Sequence, residues 1–108
     1  MNGITHAVKT EAHLRIHFAF AGAALFLGWV LAASPTQWVG LLFAIGLVMS
    51  AELLNSAIEG LCDVVSPSYD ARIGKVKDMA AGGVLICAVT AMAIGLIIFI
   101  PLIIEKIP

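Results

Sequence analysis

Two long windows without a formal charge set the limits on what this chain can fold into. Residues 16–51 and 79–104 contain no Asp, Glu, Lys or Arg, and each exceeds the ~20 apolar residues that a helix needs to cross a bilayer. In hydrocarbon each backbone N–H and C=O must find its partner inside the protein, which leaves helices as the natural form for such stretches. Ser34-Pro35-Thr36 interrupts the first window and supplies a turn that splits it in two. The expected fold is therefore an all-α membrane protein with three transmembrane helices, at about 16–33, 38–65 and 78–104. A short interfacial segment, Met1 to Arg15, precedes them. Composition agrees: 61% of the 108 residues are hydrophobic and 12% are charged, more apolar surface than one small globule can hide. The whole chain, 1–108, reads as a single unit.

The few charges are placed asymmetrically. Lys9 and Arg15 precede the first expected span and Arg72, Lys75 and Lys77 lie between the second and third, whereas the Ser34 turn has no basic residue and the C-terminus only Lys106. By the positive-inside rule the N-terminus and the 66–78 loop are cytoplasmic and the C-terminus lies outside. Trp29 and Trp38 flank the Ser34 turn as interfacial anchors. Ser34 or Thr36 can cap the second helix, with Pro35 in its first turn. The stretch from Ile16 to Ala33 also resembles a signal peptide, but its apolar run exceeds the usual 7–15 residues. Cys62 and Cys87 have no metal-ligand spacing and read as small hydrophobes. No Lys/Arg run forms a phosphate-backbone patch, so nucleic acid is not an expected partner.

One stretch breaks the apolar pattern. At 100° per residue, Glu52, Asn55, Glu59 and Asp63 project at roughly 0, 300, 340 and 20°, one narrow stripe of a helix whose other face is Leu53, Leu54, Ala57 and Leu61. A carboxylate in hydrocarbon costs on the order of 3 kcal/mol, so the stripe faces protein, water or a cation, and a functional site is the default reading. The plain alternative is a stripe that only hydrogen-bonds neighbouring helices. Asn55 alone would fit that role; three acids with no base between them would repel one another. Along the second helix Glu52 lies roughly 21 Å and Asp63 roughly 37 Å beyond Trp38, against a hydrocarbon core about 30 Å thick. Glu52 and Asn55 fall in the inner leaflet, and Glu59 and Asp63 at the cytoplasmic interface.

Glu11 leads into the first helix and Lys77-Asp78 opens the third, so these residues converge on the same interface. Two or three carboxylates there suit Mg²⁺, which takes one or two carboxylates plus substrate phosphates. A lysine beside them would meet the phosphates, and the deeper Glu52 could accept a proton from a lipid hydroxyl. The chemistry favoured is phosphoryl transfer from a nucleotide to a membrane-embedded alcohol.

Glu52-Leu-Leu-Asn55-Ser-Ala-Ile-Glu59-x-x-x-Asp63, followed by Lys77-Asp78-Met-Ala-Ala-Gly and preceded by Glu11-Ala-His-Leu-Arg15-Ile-His, resembles the bacterial membrane diacylglycerol kinase and undecaprenol kinase family over about residues 11–90. The resemblance implies a homotrimer of three-span subunits in the bacterial inner membrane, with active sites between protomers at the cytoplasmic face. It implies ATP as phosphoryl donor and Mg²⁺ as the cation. Glu52 matches the catalytic base, and Glu11 and Glu59 the carboxylates that hold the nucleotide's cations. Asn55, Asp63, Lys77 and Asp78 match substrate- and nucleotide-binding positions, Lys77 as the phosphate contact. Arg15-Ile16-His17 is closer to the undecaprenol kinase branch, so undecaprenol is favoured over diacylglycerol. About ten residues precede Glu11, fewer than is usual in the family, where a longer amphipathic segment helps cover the nucleotide.

Two other classes compete: a small oligomeric cation or proton channel, and a non-catalytic membrane assembly subunit. A channel needs a polar path through the outer halves of the spans, which lack ionisable residues. A non-catalytic subunit would not need several carboxylates and Lys77 gathered at one depth. His13 and His17 share a helical face, but interfacial histidines are commoner than metal pairs. Tyr69 reads as a loop residue, and Arg72 and Lys75 as solvated determinants of topology.

Overall fold

The computed structural model describes residues 3–4 and 12–108. From residue 12 onward the chain forms three helices, α1 (Ala12–Val30), α2 (Pro35–Val65) and α3 (Ala71–Lys106), and no strand occurs among the described residues. α2 has 31 residues and α3 has 36, lengths of roughly 46 and 54 Å at 1.5 Å per residue. Both are long and apolar enough to cross a membrane, whereas the apolar part of α1, Leu14–Val30, is shorter. The whole body measures 59 × 26 × 19 Å. α3 packs along α2 more extensively than α1 does.

The helix boundaries follow from local chemistry. α1 ends at Val30, short of Ala33, because the chain turns back on its own last carbonyls. Ala33 N–H donates to Gly28 O at 2.9 Å and Ala32 N–H to Trp29 O at 3.2 Å, the paired bonds of a Schellman stop. The stop places Ala32 at φ 57°, a left-handed conformation that costs an L-residue roughly 1–2 kcal/mol and that glycine adopts freely. Glycine also loses roughly 0.5–1 kcal/mol of extra chain entropy on folding. Ala32→Gly is therefore expected to stabilise the fold by a net ~0.5–1 kcal/mol, seen as a raised thermal midpoint of the full chain in detergent.

Ser34 then starts α2. Its hydroxyl accepts from Gln37 N–H at 3.2 Å, and Gln37 Oε1 accepts from Ser34 N–H at 2.8 Å. This is a reciprocal capping box, with Pro35 in the first turn. α3 begins seven residues before the expected membrane entrance because Asp70 caps it, accepting from Arg72 N–H at 2.8 Å. The same carboxylate receives the Arg72 guanidinium at 2.9 and 3.3 Å. Those bonds, the side-chain one first, hold the Asp70 carboxyl below the usual carboxylate range, so the cap loosens only as pH falls through that lowered value. Arg72 is thus tied to Asp70 as well as solvated. At the far end, Pro101 sits inside α3 rather than ending it. A proline costs one backbone hydrogen bond, and the apolar residues around it keep the rest of the helix in register.

The tightest packing lies next to the Ser34 turn. Leu41, Ile98 and Leu102 are buried there, with Trp38, Ile94 and Phe99 against them. Two glycines allow the approach: a Cβ on Gly28 would stand 3.1 Å from Leu41 and 3.2 Å from Trp38, and one on Gly40 would stand 3.2 Å from Ile98. Gly82 and Gly83 have nothing within 4 Å of a Cβ position, so their small-residue face is open in the single chain. Cys62 is buried, Cys87 half-buried, and both are free thiols. Most other large apolar side chains point outward, among them Phe20 (70% exposed), Trp29 (73%) and Ile97 (71%). Surface of this kind is stable against lipid or another protein, not against water.

Candidate functional site

The stripe on α2 is built at the opposite end from the tight core. Glu52, Asn55, Glu59 and Asp63 all lie within the unbroken helix Pro35–Val65, which keeps them on one face over roughly 17 Å. Their surroundings differ along that length.

Among the described acids Glu52 is the most enclosed, with its side chain 17% exposed. Its Oε1 stands 3.0 Å from His17 Nε2, which reaches across from α1. One helical turn on, the Oδ1 of Asn55 is buried and has no hydrogen-bond partner. A buried acceptor left unpaired costs about 1–3 kcal/mol, so this position is suited to a donor brought by a ligand or a neighbouring subunit. Glu59 is exposed. Asp63 accepts from Lys77 Nζ at 2.7 Å, which joins the end of α2 to the second turn of α3. Asp78, next along α3, is exposed.

Beside His17 the three helices line an open apolar cavity of about 380 Å³. Phe20, Ala24, Val48, Met49, Ala91 and Phe99 are among its walls, and His17 lies in its lining. Met49 stands three residues before Glu52 on α2, so the cavity runs from the Ser34 end toward the carboxylate. Its volume falls in the range of about 300–1,000 Å³ found for small-molecule sites.

The expected residues are thus partly assembled. Glu52 and Asn55 sit one helical turn apart on α2, just past Met49 at the end of the cavity's lining. Lys77 and Asp63 meet each other, so Lys77 spends its charge on Asp63 in this state. Glu59 lies between the two groups, and Glu11 is outside the described residues. Among the described residues no three His, Cys, Asp or Glu side chains converge on one point. Glu59 nevertheless offers a hard, accessible oxygen donor, and a Mg²⁺ bound with nucleotide needs no more than one or two protein carboxylates. The described part of the site fits such a cation in kind.

Sequence reasoning missed the role of His17. It read as an interfacial histidine, and the signal that could have exposed its partner is depth. An acid held inside an apolar helix needs a polar group at the same level on a neighbouring helix, and His17 is the polar side chain that α1 offers there.

An all-helical chain with two helices long and apolar enough to span a membrane, and a stripe of acids on one of them, has the make-up of a membrane protein. The chain belongs to the prokaryotic diacylglycerol kinase family, which residues 1–99 match, and it is an enzyme of the ATP-dependent lipid kinase class. It is 37% identical over 99 residues to an undecaprenol kinase of Bacillus subtilis, covering 92% of this chain and 80% of that protein. A diacylglycerol kinase of Synechocystis is 36% identical over 101 residues, covering 92% of this chain and 57% of the relative. The diacylglycerol kinase of Escherichia coli is 35% identical over 79 residues, covering 69% and 65%.

Proposed function

We propose that this protein transfers the γ-phosphate of MgATP to the hydroxyl of a membrane lipid alcohol, undecaprenol in preference to diacylglycerol. The observation that carries this reading is the enclosed Glu52 carboxylate, 3.0 Å from the His17 that lines the apolar cavity. A lipid lying with its tail along the cavity would bring its hydroxyl to Glu52. Glu52 takes the hydroxyl proton, the oxygen attacks the γ-phosphorus, and ADP leaves with the bridging oxygen. Asn55, whose Oδ1 is unpaired, orients the reacting groups. Lys77 contacts the phosphates, with Asp63 and Asp78 at the nucleotide end. Glu59, together with Glu11, would hold Mg²⁺, which when bound offsets the charge on the transferring phosphate.

The whole chain acts as one kinase unit in the bacterial inner membrane, with α1 as a third span. The basic residues on the N-terminal side and around Arg72, Lys75 and Lys77 support a site at the cytoplasmic interface and a C-terminus outside. The outward-facing apolar side chains and the open faces of Gly82 and Gly83 suit helix contacts between copies, and the family resemblance makes those copies three. The preference for undecaprenol draws on the Bacillus subtilis relative and on Arg15-Ile16-His17. The channel reading has little to stand on, since the cavity is apolar and, among the described residues, the helix halves toward the Ser34 turn carry no ionisable side chain short of Glu105 and Lys106 at the end of α3.

The test is transfer of labelled phosphate from MgATP to undecaprenol and, separately, to diacylglycerol by the full chain in detergent or bilayers. Labelled undecaprenol formed at the higher kcat/KM is the expected result. Faster labelling of diacylglycerol would reverse the preference, and labelling of neither lipid by a folded oligomer would put the non-catalytic subunit ahead.

A further inference from the structure

The contact from His17 Nε2 to Glu52 Oε1, made across two helices at the edge of the cavity, points to a role the sequence did not supply. We infer that His17 is a positioning residue, holding Oε1 of Glu52 so that Oε2 faces the lipid hydroxyl; this rests on the kinase reading above.

Glu52 extends from α2 on a flexible stem, and a general base must be within hydrogen-bond reach of the proton it removes. Freezing its rotamer before substrate arrives removes a search from the reaction step, as preorganised groups do in other active sites. His17 can do this because it reaches Glu52 from a second helix. It stands on α1 and lines the same cavity as Phe20, Ala21 and Met49, and its side chain is 30% exposed. At 3.0 Å the two atoms are within hydrogen-bond distance. The contact engages one oxygen of the carboxylate and leaves the other free to accept a proton. No lining residue of α3 carries a charge that could take the place of His17: the α3 wall consists of Ala88, Ala91, Met92, Gly95 and Phe99. His17 is also where the cavity becomes polar, so the group that orients the base borders the space assigned to the lipid tail.

Three variants of the full chain separate this role from simple packing: His17→Leu, His17→Asn and His17→Gln. A glutamine amide can place an N–H near the position of Nε2, whereas asparagine is too short and leucine has no donor. His17→Leu and His17→Asn are expected to lower kcat for lipid phosphorylation about 10- to 100-fold, the scale of a lost hydrogen bond to a charged group. KM for MgATP should stay within about twofold, because the nucleotide end lies two to three turns away along α2. His17→Gln should recover most of the loss. In a Glu52→Gln background, adding His17→Leu should change the residual rate by less than about twofold, since the group being positioned is gone. An active wild type with unaltered kcat in His17→Leu would overturn the inference alone. So would a loss that His17→Gln fails to recover while the thermal midpoints of all three variants fall together, for that is a packing effect. A folded wild type that labels neither lipid would overturn the kinase reading and this inference with it.

Discussion

Glu52→Gln is expected to lower kcat for lipid phosphorylation by about 10²- to 10⁴-fold, the range typical of losing a general base, while KM for MgATP changes by no more than about twofold. The substitution keeps shape and leaves an amide that accepts no proton, so it removes the chemistry and little else. Stability should move in the opposite direction from activity. A carboxylate 17% exposed among apolar helices is costly to hold, and an uncharged amide at the same place costs less. The thermal midpoint of Glu52→Gln in detergent should therefore equal or exceed that of the wild type. Loss of activity together with loss of the folded oligomer would argue that Glu52 braces the helices. Full activity would remove it from the reaction.

This opposition explains why the site was legible in the sequence. An acid inside an apolar helix is a local contradiction, and such contradictions mark function because folding alone does not favour them. Glu52, Asn55, Glu59 and Asp63 stood out for that reason, and the unbroken α2 keeps them on one face as their spacing required. The boundary of α2 was equally local: Ser34, Pro35 and Gln37 carry the cap in their own side chains. What the sequence left open were pairings across helices. His17 on α1 and Glu52 on α2, or Asp63 on α2 and Lys77 on α3, are 35 and 14 residues apart, and no local pattern links them. The end of α1 was missed for a different reason. Its stop uses Ala32 in the left-handed conformation, where a glycine would have announced the turn. The close approaches at Gly28 and Gly40 likewise depend on how the helices cross and cannot be read from residue size.

The Asp63 to Lys77 contact leads to the second large effect. Lys77 Nζ stands 2.7 Å from Asp63, so a phosphate must draw it away. The two side chains are 36% and 67% exposed, and ion pairs this open to solvent are weak. A nucleotide phosphate carries more charge than one carboxylate and presents several acceptor oxygens, so Lys77 should exchange Asp63 for phosphate readily. Asp63 then acts as a parking place that keeps the lysine at the mouth of the site. Lys77→Met is expected to raise KM for MgATP about 10- to 100-fold, with kcat falling less than in Glu52→Gln. Asp63→Asn frees the lysine and should shift KM by no more than about threefold in either direction. The asymmetry between these partners is the diagnostic. Initial rates across a range of MgATP concentrations, at low and high salt, would resolve it, with the Lys77 contribution shrinking as salt rises. If the two substitutions instead weaken the enzyme equally, and the double variant is no worse than either single one, the pair works as a unit joining α2 to α3 and Lys77 does not leave it for the nucleotide.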